Sequence, residues 1–463
     1  MATKQQGYEK LSLIENSFSD SKSTEFHIEN EDAIYDEDLD RVIAIRNDQP
    51  YPISRPPPKV RDWGYAVLFL LHFVCVLLLS LIENHSLRHS LLNYGRASSW
   101  ASMLMIITLV GSFLGGALTI LLLWQNVRDI FLSSSIAFSL ILKICLGNIL
   151  LIMRSTYSFL GVIVILSALV DTFWNRSARE GVGFSSALLQ MVIDTTSLYG
   201  ASFVLTCSAI VAVQTLVLMW WGSFFVGLIS TVSTAYAIIF IIPMALSLYW
   251  ITQFFHSLIA FIVGGCVLWI FAREENDKVS LSNKLLLYVQ CALTTSFGSI
   301  CKGALTSPLA QVVLMLNHWV TRRPQSVAHS CCSLRGLAAR MLPVSLVNAA
   351  EHHHRLVFGL TALYGRAFCS SAQALVVSHR ETLDISVEDS THFLVCNAAV
   401  VIAGLVAIMF GLIAERGEGS SWPLFFFVCY YLAYCGVSLA VHVYASAVDA
   451  LIVASAINPT KFA

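Results

Sequence analysis

The sequence predicts an all-α polytopic helical membrane protein with about ten transmembrane segments, a kinked long sixth and an interrupted seventh. Two observations carry this. Hydrophobic residues fill 56% of the 463 positions and charged residues only 12%, about half the charged share of a soluble domain. The apolar residues also come in runs of about 20 or more, long enough for a helix to cross a hydrocarbon core of roughly 30 Å. Only helices and closed barrels satisfy their backbone groups in lipid, and these runs lack the short alternation of barrel strands. The net charge of −1 gives a nucleic acid no basic surface to bind. No Walker loop or nucleophile arrangement appears, so neither ATP-driven transport nor an enzyme is expected, and no cofactor is implied. Most of the 12 Cys lie in apolar runs, where a thiol behaves as a small hydrophobe.

Residues 1–60 read as a disordered acidic cytosolic tail that ends in a proline-rich linker. Every charge from Glu25 to Asp40 apart from His27 is acidic, a composition that solvates rather than packs. Arg55, Lys59 and Arg61 flank the first apolar run and favour a cytosolic N-terminus. Residues 61–457 form the membrane domain and 458–463 a short C-terminal tail. The first segments run from about Trp63 to Ile82, Trp100 to Trp124, Phe131 to Met153 and Tyr157 to Trp174. Glu180 to Thr196 reads as amphipathic and interfacial, and the fifth span lies near Tyr199 to Trp221. The sixth, about Ser230 to Phe271, overshoots a bilayer and contains Pro243, so a kink, break or strong tilt is expected. The seventh, about Leu286 to Leu316, is interrupted by Gly298, Gly303 and Pro308.

The eighth segment, Leu356 to Gln373, reads as one helix with two stripes. Ala362, Gly365, Cys369 and Ala372 form a small-residue face for close helix approach. Gly359, Arg366, Ser370 and Gln373 form a polar face that suits a wet cavity better than lipid. The ninth segment covers about Phe393 to Ile413, and the tenth begins near Trp422 and passes Asp449. Both the Arg273–Lys284 and Arg322–Arg355 loops are basic, which places both in the cytosol. A single crossing between them forbids that. Either one loop breaks the pattern, or an interrupted segment is a re-entrant pair of half-helices.

Charges within spans cost roughly 2.5–3.5 kcal/mol or more at the bilayer centre, so Lys143, Lys302, Asp449 and Asp171 stand out beside Arg366. Snorkelling or structural pairing is one reading. The other makes Asp449 or Asp171 a counter-ion, with Lys143 pairing an acid. His352–His354 is not a metal cluster, because consecutive histidines on a helix point apart.

The ordered motifs resemble the choline transporter-like family. Leu363-Tyr364-Gly365-Arg366-Ala367-Phe368-Cys369 is similar to its I-Y-G-K-x-F-C. Phe297-Gly298-Ser299-Ile300-Cys301, followed by Gly303-Ala304-Leu305, resembles F-G-S-I-C-x-G-S-L. Tyr249-Trp250-x-x-Gln253, with Gly264 and Trp269 to Phe271, is similar to the long sixth helix of fungal members. Lys143-x-x-x-Gly147 and Val448-Asp449-x-Leu451 resemble two further family segments. The resemblance covers about residue 60 to the end and implies a plasma-membrane, multi-pass carrier that moves choline or a related small organic cation without ATP. Lys302 departs from it, since the family usually has an uncharged residue there.

A quaternary ammonium cannot donate conventional hydrogen bonds, so recognition relies on aromatic faces. Tyr249, Trp250, Trp269, Tyr364 and Phe368 are the aromatics of the motif-bearing helices, and Gln253 shares a face with the first two. These six are the expected substrate-binding residues. Lys143, Asp171, Lys302, Arg366 and Asp449 are the expected coupling or gating charges. Two alternatives stand beside a cation carrier. One is a carrier of a different, anionic solute, suggested by Lys302. The other is a non-transporting scaffold that binds partners through its acidic tail.

Overall fold

The computed structural model describes residues 60–91, 110–111, 113–120, 128–152, 158–231, 234–272, 280–321, 350, 354–379, 385–418 and 422–457. The acidic tail, the C-terminal tail and most of the basic 322–355 loop lie outside them. The described chain is helical: α1 (Trp63–Leu91), α2 (113–120), α3 (Arg128–Ile152), α4 (Ser158–Ser197), α5 (Gly200–Thr231), α6 (Thr234–Ala272), α7 (Leu281–Leu293), α8 (Phe297–Thr321), α9 (Val357–Tyr364), α10 (Phe368–His379), α11 (Ile385–Glu418) and α12 (Trp422–Ile457). Six of them, α1, α3, α5, α6, α11 and α12, are long and apolar enough to cross a membrane.

Helices α6 and α12 form the centre. Their apolar windows are each 83% buried, against 17% for the window of α1. The outer helices turn Leu68, Leu71, Ile141, Val204 and Leu216 outward, the face that lipid accepts. Around the centre, α12 packs on α11, α6, α5 and α4, and α6 packs on α9, α8, α7 and α5. Small residues permit the closest of these approaches. A Cβ on Gly264 would lie 2.9 Å from the Gly359 Cα, and one on Gly161 would lie 2.8 Å from the Gly147 carbonyl oxygen.

Several boundaries differ from the sequence expectation. The fourth span and the presumed interfacial helix are one helix, α4, of 40 residues. No proline divides it, and its second half packs inward through Ser185, Leu189 and Val192, with Ser185 and Thr391 hydroxyls 2.8 Å apart. The fifth helix runs on to Thr231, so the sixth begins at Thr234, with Pro243 inside it.

The seventh segment is interrupted, but at Thr294–Ser296 and not at its glycines. There Thr294 Oγ1 donates back to the Gln290 carbonyl at 2.7 Å, and the Ser296 N–H donates to the Cys291 carbonyl at 2.9 Å, local bonds that compete with helix continuation. Both halves track α6 in one direction. Lys284 lies over the Trp269 ring, Tyr288 meets Gly265, Phe297 meets Phe254, and Cys301 meets Trp250. Hence α7 and α8 make a single broken passage antiparallel to α6, not a re-entrant pair. Ala272 and Thr321, the described residues that precede the two basic stretches, therefore lie at opposite ends of that passage.

The eighth segment is not one helix. It stops at Gly365, whose φ of +65° is a left-handed cap that glycine adopts without strain, and resumes at Phe368. Phe358 and Phe368 have ring centroids 5.1 Å apart, whereas ten residues of continuous helix would separate them by about 15 Å. The chain therefore turns at the break, and the expected small-residue stripe does not exist as one face. Gly359 and Ala362 pack on α6 instead, at Gly264 and Gly265.

Candidate functional site

A cavity of about 150 Å³ lies between α6, α8, α9, α11 and α12. Its polar walls come from residues one helical turn apart. Gln253 and His256 share a face of α6, and Ser438, His442 and Asp449 share a face of α12. Ser307 and Gln311 project from α8 on either side of Pro308, and His392 and Cys396 from α11. Phe358 and Tyr434 supply aromatic faces.

Three imidazoles meet there. The His256 and His442 rings are 4.7 Å apart and the His392 and His442 rings 5.7 Å apart. The Ser438 hydroxyl lies 3.4 Å from His256 Nε2. His392 Nδ1 is buried with no hydrogen-bond partner among the described residues, the state that a solute or water in the cavity would relieve.

The site also holds an ion pair. Arg355 Nε lies 3.3 Å from Asp449 Oδ2, and both side chains are about nine-tenths buried. With its amide oxygen turned toward the guanidinium, Gln311 accepts from Arg355 Nη1 at 2.7 Å and from Nε at 3.1 Å.

Of the eleven residues expected to bind substrate or to couple and gate, only Gln253 and Asp449 line this cavity. Trp250 is buried at the α1–α6–α8 contact, stacked on His72 at 5.3 Å, with its Nε1 donating to the Cys301 carbonyl at 3.3 Å. Tyr249 is half-buried beside it. Trp269 is buried under Lys284. Phe368 is fully buried against Phe358 and Gly303. Arg366 sits over the Tyr364 ring at 5.7 Å in the α9–α10 break. Lys143 bonds Asp171 across the α3–α4 contact, one turn from the Gly147–Gly161 approach. The expected aromatic set is thus dispersed along helix contacts.

Lys302 has a carboxylate partner that the sequence reading missed. Asp62, just before α1, accepts from Lys302 Nζ at 3.1 Å, from the Ser299 hydroxyl at 2.6 Å and from the Phe368 N–H at 3.2 Å. That N–H is one of the unsatisfied donors that open α10. Asp62 adopts a left-handed φ of 49°, which Asp tolerates better than most residues. The neighbouring Arg61 N–H donates to the Thr295 carbonyl at 3.1 Å. One carboxylate therefore ties the start of α1 to the breaks of two other segments, and it neutralises the lysine that had suggested an anionic solute.

His392, His442 and Tyr434 were also missed. Ser438, His442 and Asp449 recur at helical spacing within an otherwise apolar run, a periodic polar stripe that marks a cavity-facing side. His392 carries no such signal, because it opens its apolar run.

Comparison with known proteins places the chain. The sequence profile of the plasma-membrane choline transporters matches residues 158–460, which includes every helix that lines the cavity. A CTL-like protein of Dictyostelium discoideum is 22% identical over 356 residues, 76% of this chain and 63% of that protein. Protein PNS1 of Mycosarcoma maydis is 22% identical over 384 residues, 78% of this chain and 71% of that protein. The chain thus spans a little under two thirds of the Dictyostelium relative's length. With the match over residues 158–460 and the apolar helical bundle in view, the chain belongs to the plasma-membrane choline transporter family.

Proposed function

We propose that the protein carries choline or a similar small organic cation across the plasma membrane, without ATP, with its N-terminus in the cytosol. The observation that carries this reading is the cavity at the centre of the bundle, where a buried carboxylate, Asp449, lies among the rings of Phe358, Tyr434 and three histidines. A quaternary ammonium asks for that combination: a negative charge, π faces, and a polar group such as Gln253 for its hydroxyl. A cavity of about 150 Å³ is of the size that holds a benzene-sized guest in other proteins, and choline has comparable bulk. Gln253 and Asp449 belong to both the expected and the observed constellation, so they head the binding set.

The test is uptake of radiolabelled choline by purified full-length protein in liposomes free of nucleotide. Saturable uptake, inhibited by unlabelled choline and by tetramethylammonium, is expected. Uptake no greater than that of empty liposomes would overturn the proposal.

A further inference from the structure

Among the described residues that line it, the cavity has one carboxylate, and that carboxylate already has a cation. Among its described lining residues, Asp449 is the only acid and Arg355 the only permanent cation, and the two are paired. An organic ammonium that enters this cavity therefore meets a site whose negative charge is taken. Adding the cation while both members stay in place adds a positive charge deep in the bundle, which low-dielectric surroundings penalise.

The two members of the pair are held very differently. Asp449 lies inside α12, within its most buried stretch. Arg355 is outside any helix, in the turn just before α9. That turn rests on the bonds from the Val357 and Phe358 N–H groups to the His354 and Arg355 carbonyls, at 3.3 and 3.2 Å. Of the two members, Arg355 is therefore the one set on a turn and not within a helix. In the same position the Gln311 amide oxygen comes within 2.7 Å of its Nη1 and 3.1 Å of its Nε, so the guanidinium has one polar partner that it need not give up with Asp449.

We infer that Arg355 is a tethered stand-in for the transported cation: it occupies Asp449 while the cavity is empty, and an entering organic ammonium displaces it. This inference rests on the cation-carrier reading above and adds to it the residue that sets affinity. Displacement also has a mechanical consequence. Arg355 leads directly into α9, a rigid helix of eight residues that ends at the left-handed Gly365. Phe358 of α9 is itself a wall of the cavity. An arginine that leaves Asp449 therefore pulls on a short body with a turn at each end and one ring in the site. Competition of this kind keeps binding weak enough for release, because the departing cation is replaced by a group that never leaves the protein.

The experiment uses full-length protein in lipid nanodiscs and measures equilibrium binding of radiolabelled choline. Removing the competing charge in Arg355→Gln should tighten choline binding by about tenfold, as expected when a competing state is eliminated. Asp449→Asn should weaken it by at least about tenfold through loss of a buried charge partner. Arg355→Lys, which keeps the charge, should stay close to the unsubstituted protein. A second measurement needs no variant: saturating choline should increase modification of Arg355 by phenylglyoxal, read by mass spectrometry, and this decides the matter if Arg355→Gln does not fold. Weaker or unchanged choline binding in Arg355→Gln, or protection of Arg355 by choline, would overturn the inference while leaving the carrier reading intact. Absence of choline binding to the unsubstituted protein and to Arg355→Gln alike would overturn both.

Discussion

Lys302 meets Asp62 at 3.1 Å and Arg355 meets Asp449 at 3.3 Å, yet the two pairs sit in opposite kinds of surroundings. Asp62 spends its oxygens on three partners, the Lys302 ammonium, the Ser299 hydroxyl and the Phe368 N–H, and its backbone is pressed against Gly298. No solute could enter there without displacing the chain itself. Asp449 instead faces a cavity, shared with three imidazoles and two aromatic rings, and its arginine is held from a turn. In these two pairs charge thus serves different ends, in one to fasten the ends of broken helices and in the other to line a space that can be filled. The difference lies in what each carboxylate faces and where its cation is rooted, Lys302 within α8 and Arg355 in the turn before α9.

Substitutions can break the fastened region most severely. A Cβ at position 298 would come within 2.3 Å of the Asp62 carbonyl oxygen and 2.5 Å of that of Arg61, and backbone cannot step aside as a side-chain tip can. Gly298→Ala should therefore abolish most of the folded, monodisperse protein, as read by size-exclusion chromatography after expression. Asp62→Asn comes next. It leaves the half-buried Lys302 without its counter-charge, which should cost about 1–3 kcal/mol and appear as a clear drop in thermal unfolding temperature. Replacing both members, in Asp62→Asn with Lys302→Met, should recover much of that loss, since no orphaned charge remains.

Changes at the cavity should invert the pattern, with large effects on transport and small ones on stability. Gln253→Ala removes one polar wall at a site the fold does not need filled. It should raise the choline concentration for half-maximal uptake several-fold, worth about 1 kcal/mol for one hydrogen bond, and leave the unfolding temperature close to that of the unsubstituted protein. A parallel fall in stability would mean that the cavity wall is structural after all. The smallest effect belongs to Gly365→Ala. A residue with a Cβ at φ +65° pays about 1 kcal/mol, a loss measurable in denaturation midpoints.

The sequence carried the bundle clearly and the site only in part, for physical reasons that differ residue by residue. Runs such as Pro243–Phe271 read directly as membrane helices because lipid demands apolar length. Gln253 and Asp449 were legible as polar groups that a lipid-facing helix would not keep. Trp250 and Phe368 lie at helix contacts and not in the cavity lining, because an aromatic ring suits a helix contact as well as a cation and composition does not distinguish them. Gly298 and Gly303 read as helix breakers, yet both lie inside α8, where they admit the Asp62 backbone and the Phe358 and Phe368 rings. Asp62 could not be found from the sequence, because its partners lie 237 to 306 residues away and it stands outside every apolar run. Arg355 was hidden in the same way, at the edge of a basic loop where one more arginine attracts no notice.

The most direct test compares choline uptake by the unsubstituted protein and by Asp449→Asn, reconstituted in equal amounts into nucleotide-free liposomes. If Asp449 is the counter-charge of the transported cation, the substitution should lower saturable uptake by about tenfold or more, the effect of losing a buried charge partner, while the protein remains folded. Equal uptake by the two proteins would contradict the account.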